Sequence, residues 1–196
     1  MKYYQVIEKR KVGNIYEIVI SGFDIEPKPG QFVSLILPNE AEIPLGVGDY
    51  EKDLLKLYIE SENLVRRIGK RVLIKGPLGK QLELNGVRKI IGITTPDLFH
   101  DIKYPLKVAK KRGIDVKCIG CNGEYDEPMD INDSDLILVS MRLEDLKKLN
   151  LPKDKVLVYN RWVKMNCMLG VCGECEVKGK LTCIEGPFMR LDEIVD

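Results

Sequence analysis

Cys167, Cys172, Cys175 and Cys183 form a C-x4-C-x2-C-x7-C array near the C-terminus. Thiols this dense are hard to explain as core packing. Gly170 and Gly173 lie between them, so the backbone can curl tightly enough to aim several sulfurs at one place. C-x4-C-x2-C followed by a more distant cysteine is the plant-type spacing for a [2Fe-2S] cluster, whose irons are held by thiolates. The fourth cysteine returns after seven residues, sooner than in a plant-type ferredoxin, which points to another cluster-binding family. Zinc, disulfides and unrelated buried thiols compete with the cluster. Structural zinc sites usually pair their ligands as CxxC knuckles, and here only Cys172 and Cys175 have that spacing. Disulfides need an oxidising compartment, and unrelated buried cysteines would not cluster this way.

The rest of the 196 residues narrows the function classes. Thirty-one basic against thirty acidic residues leave a net charge of +1 with no long single-sign block, so the footprint of a nucleic-acid binder is missing. The longest apolar runs, such as 135–141, are strand-sized, which argues against a membrane span. Residues 1–11 alternate charged and apolar side chains instead of forming a signal-peptide core, and the expected location is the cytoplasm.

Short β-rich runs at 3–9, 15–20, 32–37, 43–47, 54–59 and 71–75, with turns at 28–30, 38–39 and 49–50, predict a six-stranded antiparallel barrel. Ser61 is a candidate N-cap for a helical turn over 62–68, and Gly76-Pro77-Leu78-Gly79 is expected to end the last strand. After Val87 the period changes. Strand candidates at 89–94, 116–120, 136–140 and 156–159 alternate with helical stretches at 97–112 and 143–149, predicting a small Rossmann-like parallel sheet. The expected domains are 1–86 (barrel), 87–163 (α/β unit) and 164–196 (cysteine-rich cluster segment).

This order, with Pro29-Gly30-Gln31-Phe32-Val33, Gly76-Pro77-Leu78-Gly79, the run Met165–Cys175 and Cys183-Ile184-Glu185-Gly186-Pro187-Phe188, resembles the electron-transfer subunits of the dihydroorotate dehydrogenase B family. These are members of the ferredoxin-reductase superfamily, and the similarity spans nearly the whole chain. The resemblance implies FAD on the barrel, hydride exchange with NAD(H), and a [2Fe-2S] cluster on Cys167, Cys172, Cys175 and Cys183. It also implies a catalytic redox partner such as a dihydroorotate dehydrogenase, and a place in pyrimidine biosynthesis. Carried over position by position, FAD would meet Pro44, Leu45, Gly46, Gly76 and Pro77.

The chain departs from the family pattern at the nucleotide sites. Ile43-Pro44-Leu45-Gly46 replaces Arg-Pro-x-Ser, removing the guanidinium expected on the pyrophosphate. Glu60-Ser61-Glu62 stands in place of Gly-x-Gly-Thr, and Ile91–Pro96 in place of a glycine-rich loop. The expected function is therefore that of a shortened relative, an electron-transfer subunit that works through its cluster with a partner. A complete FAD/NAD(H) reductase with atypical sites and a zinc-stapled interaction module are the alternatives.

No catalytic constellation is expected. His100, the sole histidine, reads as a surface or packing residue, and Asp133, Asp135 and Glu144 as turn and helix-surface acids. Trp162 is expected to anchor the cysteine loop onto the α/β unit, with Met165 and Met168 covering the cluster. Cys118 and Cys121 read as a buried strand cysteine and its loop neighbour, able to join in a disulfide on oxidation.

Overall fold

The computed structural model describes residues 1–125 and 130–194. The first half folds into a seven-stranded sheet with strand order β4-β3-β7-β1-β2-β6-β5. Its strands are β1 (Lys2–Val12), β2 (Ile15–Ser21), β3 (Phe32–Leu37), β4 (Ala41–Gly46), β5 (Asp49–Glu51), β6 (Leu54–Ile59) and β7 (Arg71–Leu78). All pairings are antiparallel, and β4 packs on β6, so the sheet curls back on itself. Ile18 and Ile20, Val33 and Leu35, Leu55 and Leu57, and Val72 and Ile74 share one buried face at the two-residue period of a strand, with Phe23 among them.

Two details differ from the sequence expectation. There are seven strands rather than six, because Asp49 and Tyr50, read as a turn, join Glu51 in a strand that pairs with β6. β7 also runs through Gly76-Pro77 instead of stopping before it. The register against β3 shifts between Phe32 and Ser34, and a bulge is where a strand tolerates proline. Helix α1 (Glu62–Arg67) begins as expected, with the Ser61 hydroxyl accepting the Leu64 N–H at 3.3 Å.

The second sheet has strand order β14-β11-β10-β8-β9. β8 (Lys89–Thr94), β9 (Asp115–Ile119), β10 (Leu136–Ser140) and β11 (Val156–Tyr159) are parallel, while β14 (Phe188–Arg190) runs antiparallel to β11. The sheet is therefore mixed, because the C-terminal segment returns to supply its edge strand. One face, carrying Ile90, Leu136 and Leu138, is covered by helix α2 (His100–Lys111). The other, carrying Ile91, Ile93, Ile137 and Val139, packs on Leu146 of α3 (Leu143–Leu146) and Leu191 of α5 (Leu191–Ile194). Burial on both faces explains why these strands read as continuous apolar runs. α2 also binds the first sheet, through Tyr104 Oη to the Pro27 carbonyl at 2.6 Å and Lys107 Nζ to Asp49 at 2.7 Å. Among the described residues no helix is long and apolar enough to cross a membrane.

Candidate metal centre

The chain leaves β11 at Tyr159, and Asn160 fixes the exit. Its N–H donates to the Pro187 carbonyl at 2.8 Å and its amide to Thr182 Oγ1 at 3.2 Å. From this clamp the cysteine loop runs out and returns through the hairpin of β12 (Glu176–Val177) and β13 (Lys180–Leu181) into α4 (Thr182–Glu185). Met168, Gly170 and Gly173 take the left-handed conformation, with φ of 56°, 75° and 77°. These three reversals coil the loop, as the placement of the glycines implies.

The thiols come together as two pairs. The Cys172 N–H donates to Cys167 Sγ at 3.4 Å, as does that of Leu169 at 3.4 Å, and the Cys172 side chain helps to lower the Cys167 thiol. Cys183, in the first turn of α4, donates its N–H to Cys175 Sγ at 3.5 Å, and their side chains interact. Cys183 feels the charge of Cys167 as well, so the pairs are neighbours. Among the described residues no three His, Cys, Asp or Glu side chains converge on a single-ion site. The backbone N–H groups of Leu169, Val171 and Cys172 lower the Cys167 thiol to about 6, as a thiolate ligand requires. Burial, then Cys175, pushes Cys183 up to about 11.

Cys175 and Cys183 are buried with Met168 and Phe32, and Leu78, Val163, Met165 and Leu181 pack around them. Cys172 is exposed and Cys167 half-buried. Leu169, Val171 and Ile184 stand out into solvent beside them. Lys75 of β7 donates to the Cys167 carbonyl at 3.0 Å and pairs with Glu42. This tie to the barrel carries no sequence signature. A Cβ at Gly170 would lie 2.9 Å from Ile184 Cγ1. Gly170→Ala is therefore expected to loosen the loop by about 1–2 kcal/mol, read as faster hydrogen exchange at the Leu169 and Cys172 amides.

Of the positions proposed for flavin, Pro44, Leu45 and Gly46 line a cavity of about 160 Å³ between barrel and α/β unit, whereas Gly76 and Pro77 are not in its lining. Tyr159, Arg161, Asp101 and His100 wall this space on the α/β side. The Tyr159 hydroxyl lies 2.5 Å from where a Gly46 Cβ would be. Arg161 donates to Asp101 Oδ1 and to Glu60 Oε1, both at 2.6 Å, and Ser140 Oγ donates to Asp101 Oδ2 at 2.7 Å. Arg161 Nη1 also faces His100 Nε2 at 3.1 Å. Because that nitrogen meets a cation, His100 is neutral. Burial, then Arg161, lowers it to about 3, against a smaller raising effect of the Asp97 backbone. The 3.4 Å approach of His100 to Asp101 is accordingly not an ion pair. His100 is thus a packed interior residue under the Tyr58 ring.

A larger cleft of about 440 Å³ opens at the C-terminal ends of β8 and β10, where the strand order reverses. Such a switch point is where open α/β sheets bind ligands. Glu60, Asp97 and Asp145 line it against a single Arg142, an unfavourable balance for a diphosphate. Trp162 lines this cleft and is 59% exposed, so it is not the packing anchor expected; Val163 and Met165 hold the loop instead. The lone strand glycine of β8, Gly92, serves packing, since a Cβ there would meet Cys118 Sγ at 2.7 Å.

No family model matches the chain. It is 24% identical, over 97% of its length and 88% of the relative's, to the Thermoplasma volcanium "Probable dihydroorotate dehydrogenase B (NAD(+)), electron transfer subunit". The alignment runs over 227 positions against the 196 residues here, so the relative carries insertions. Among solved structures, an NADH-dependent reduced ferredoxin-NADP oxidoreductase studied for flavin-based electron bifurcation superposes with a TM-score of 0.72 at 19% identity, covering 100% of this chain and 90% of that one. Phthalate dioxygenase reductase, described as a modular structure for electron transfer from pyridine nucleotides to [2Fe-2S], gives 0.57 at 10% identity over 80% and 67% of the two chains. The chain has the ferredoxin-reductase fold and, along nearly its whole length, resembles a dihydroorotate dehydrogenase B electron-transfer subunit.

Proposed function

We propose that the chain is an iron–sulfur electron-transfer subunit that holds a [2Fe-2S] cluster on Cys167, Cys172, Cys175 and Cys183. The observation that carries this reading is the arrangement of the thiols as two adjoining pairs. A two-iron cluster takes two thiolates on each iron, whereas one zinc ion needs four ligands around one point. Such a cluster supplies one-electron transfer. The chain's own contribution is to aim backbone N–H groups at Cys167 and to bury Cys175 and Cys183 under Phe32 and Met168. It also leaves the Cys172 side open, where Leu169, Val171 and Ile184 offer an apolar rim to a partner. That partner is a catalytic redox subunit of the dihydroorotate dehydrogenase kind or another oxidoreductase. In this reading residues 1–86 and 87–163 are scaffold, and 164–196 form the cluster segment.

The residues present do not fit FAD. Ligand sites usually enclose about 300–1,000 Å³, and the cavity at Pro44–Gly46 is smaller, walled by Tyr159 and the Arg161 ion pairs. The guanidinium of Arg161 is engaged by two carboxylates and is not free to hold a phosphate. The reading is therefore of a reduced carrier without hydride chemistry.

The deciding experiment is a visible absorption spectrum of anaerobically purified protein before and after dithionite, with metal analysis and a check for flavin released on denaturation. Sulfur-to-iron bands that bleach on reduction, with no released flavin, are expected. Stoichiometric flavin would restore the complete reductase, and zinc without iron would favour the interaction module.

A further inference from the structure

Cys118 and Cys121 lie outside the candidate centre, and the structure joins them in a disulfide with Cα atoms 5.8 Å apart, while the other four cysteines remain free. We propose that this pair is a second redox site, a two-electron dithiol/disulfide couple that controls how the 120–125 turn is seated on the start of α2. The inference does not depend on the metal bound at Cys167–Cys183.

The bond joins cysteines only three residues apart in sequence. So short a loop removes little freedom from the unfolded chain, so the bond acts mainly on local structure. That local structure is unusual. Gly120, Asn122, Gly123 and Tyr125 all have positive φ, between 56° and 85°, and a tyrosine does not rest there freely. The turn lies tightly against its neighbours. A Cβ at Gly120 would fall 2.1 Å from the Thr94 carbonyl oxygen. Asn122 Nδ2 donates to the Pro96 carbonyl at 3.2 Å, and Lys103 Nζ reaches Glu124 at 2.8 Å. These contacts all fall on the β8–α2 junction, and α2 carries the Asp101 that grips Arg161 at the root of the cysteine loop.

Both sulfurs are buried, with Cys118 Sγ seated where a Gly92 side chain would be. When the bond breaks, the sulfurs must separate to van der Waals distance. A close-packed interior has no spare room for that, so the turn moves off Thr94 and Pro96. The reductant is a dithiol, which reaches the buried bond when the 120–125 turn opens locally. One of its thiolates attacks a sulfur of the pair and forms a mixed disulfide, and the displaced cysteine leaves as a thiolate and takes a proton. The second thiolate of the reductant then attacks the mixed disulfide, releasing the other cysteine, which is protonated to a thiol, and closing the reductant's own disulfide. Two electrons and two protons enter the protein.

The test is to equilibrate the whole chain, with its bound metal, across ratios of oxidised to reduced dithiothreitol. Acid quenching, denaturing alkylation with N-ethylmaleimide and mass spectrometry of the 118–121 peptide follow, with hydrogen exchange measured on parallel samples. The expected result is that Cys118 and Cys121 gain their labels together over one transition. Amides in 119–125 and 97–103 should exchange several-fold faster on the reduced side. The double variant Cys118→Ala/Cys121→Ala, which has neither the bond nor the two sulfurs, should exchange at one rate whatever the ratio. Labelling of both cysteines at all ratios, or exchange that ignores the transition, overturns the proposal, and the wild-type titration decides alone if the variant does not fold.

Discussion

Cys175→Ala is expected to take bound iron from about two atoms per chain to nearly none and to abolish the visible bands. Cys175 is held from several sides. Its sulfur receives the Cys183 N–H, its carbonyl accepts the Thr182 N–H at 3.1 Å, and its side chain packs with Phe32 and Met168. Of the two acids beside it, Glu174 is paired with Lys164 at 3.0 Å and Glu176 begins β12. Metal binding and local folding are coupled, so the β12–β13 hairpin should lose order with the metal. Cys118→Ala should by contrast retain full iron. Iron and sulfide analysis with visible circular dichroism distinguishes these outcomes. Full iron in the Cys175 variant would mean that the ligand set is wrong.

How much of this is legible in the sequence depends on how local each signal is. The cysteine spacing and the two glycines between the thiols encode the loop, and the glycines do adopt left-handed φ. β3 and β6 match their predicted bounds, 32–37 and 54–59, because strand-forming runs bounded by turn residues report a strand directly. β14 escapes such a reading because its three residues become a strand only by pairing with β11. The Arg161 cluster escapes it for the same reason. Glu60, His100, Asp101, Ser140 and Arg161 are gathered from stretches of chain far apart in sequence, and no spacing rule links them. Trp162 misleads because a large aromatic residue suggests packing, while its position after Arg161 turns it into the cleft.

Arg161→Ala is expected to cost about 3–5 kcal/mol, the usual penalty for removing one partner of a buried ion pair. Asp101 is almost fully buried and would be left with the Ser140 hydroxyl and the His100 imidazole 3.4 Å away. The Glu60 side of the cluster is exposed, so Glu60→Gln should change stability by only about 0–1 kcal/mol. The pH dependence identifies the cause. Burial raises Asp101 from 3.8 to about 6, so between those values the folded state holds a proton that the unfolded chain lacks, and its contribution to stability grows as pH falls. His100, lowered from 6.5 to about 3, works in the opposite direction: the unfolded chain takes up the proton that the folded one refuses. In the wild type the two oppose each other between about pH 4 and 6, and stability should be nearly flat with respect to this pair. Without Arg161, Asp101 loses the cation that holds it down and His100 loses the cation that repels its proton, so both move upward. The folded variant then takes up protons at higher pH than the wild type does, and the gap in urea midpoints should narrow steadily as pH falls from 8 to 5. A gap that stays constant with pH would assign the loss to packing of the guanidinium rather than to its charge.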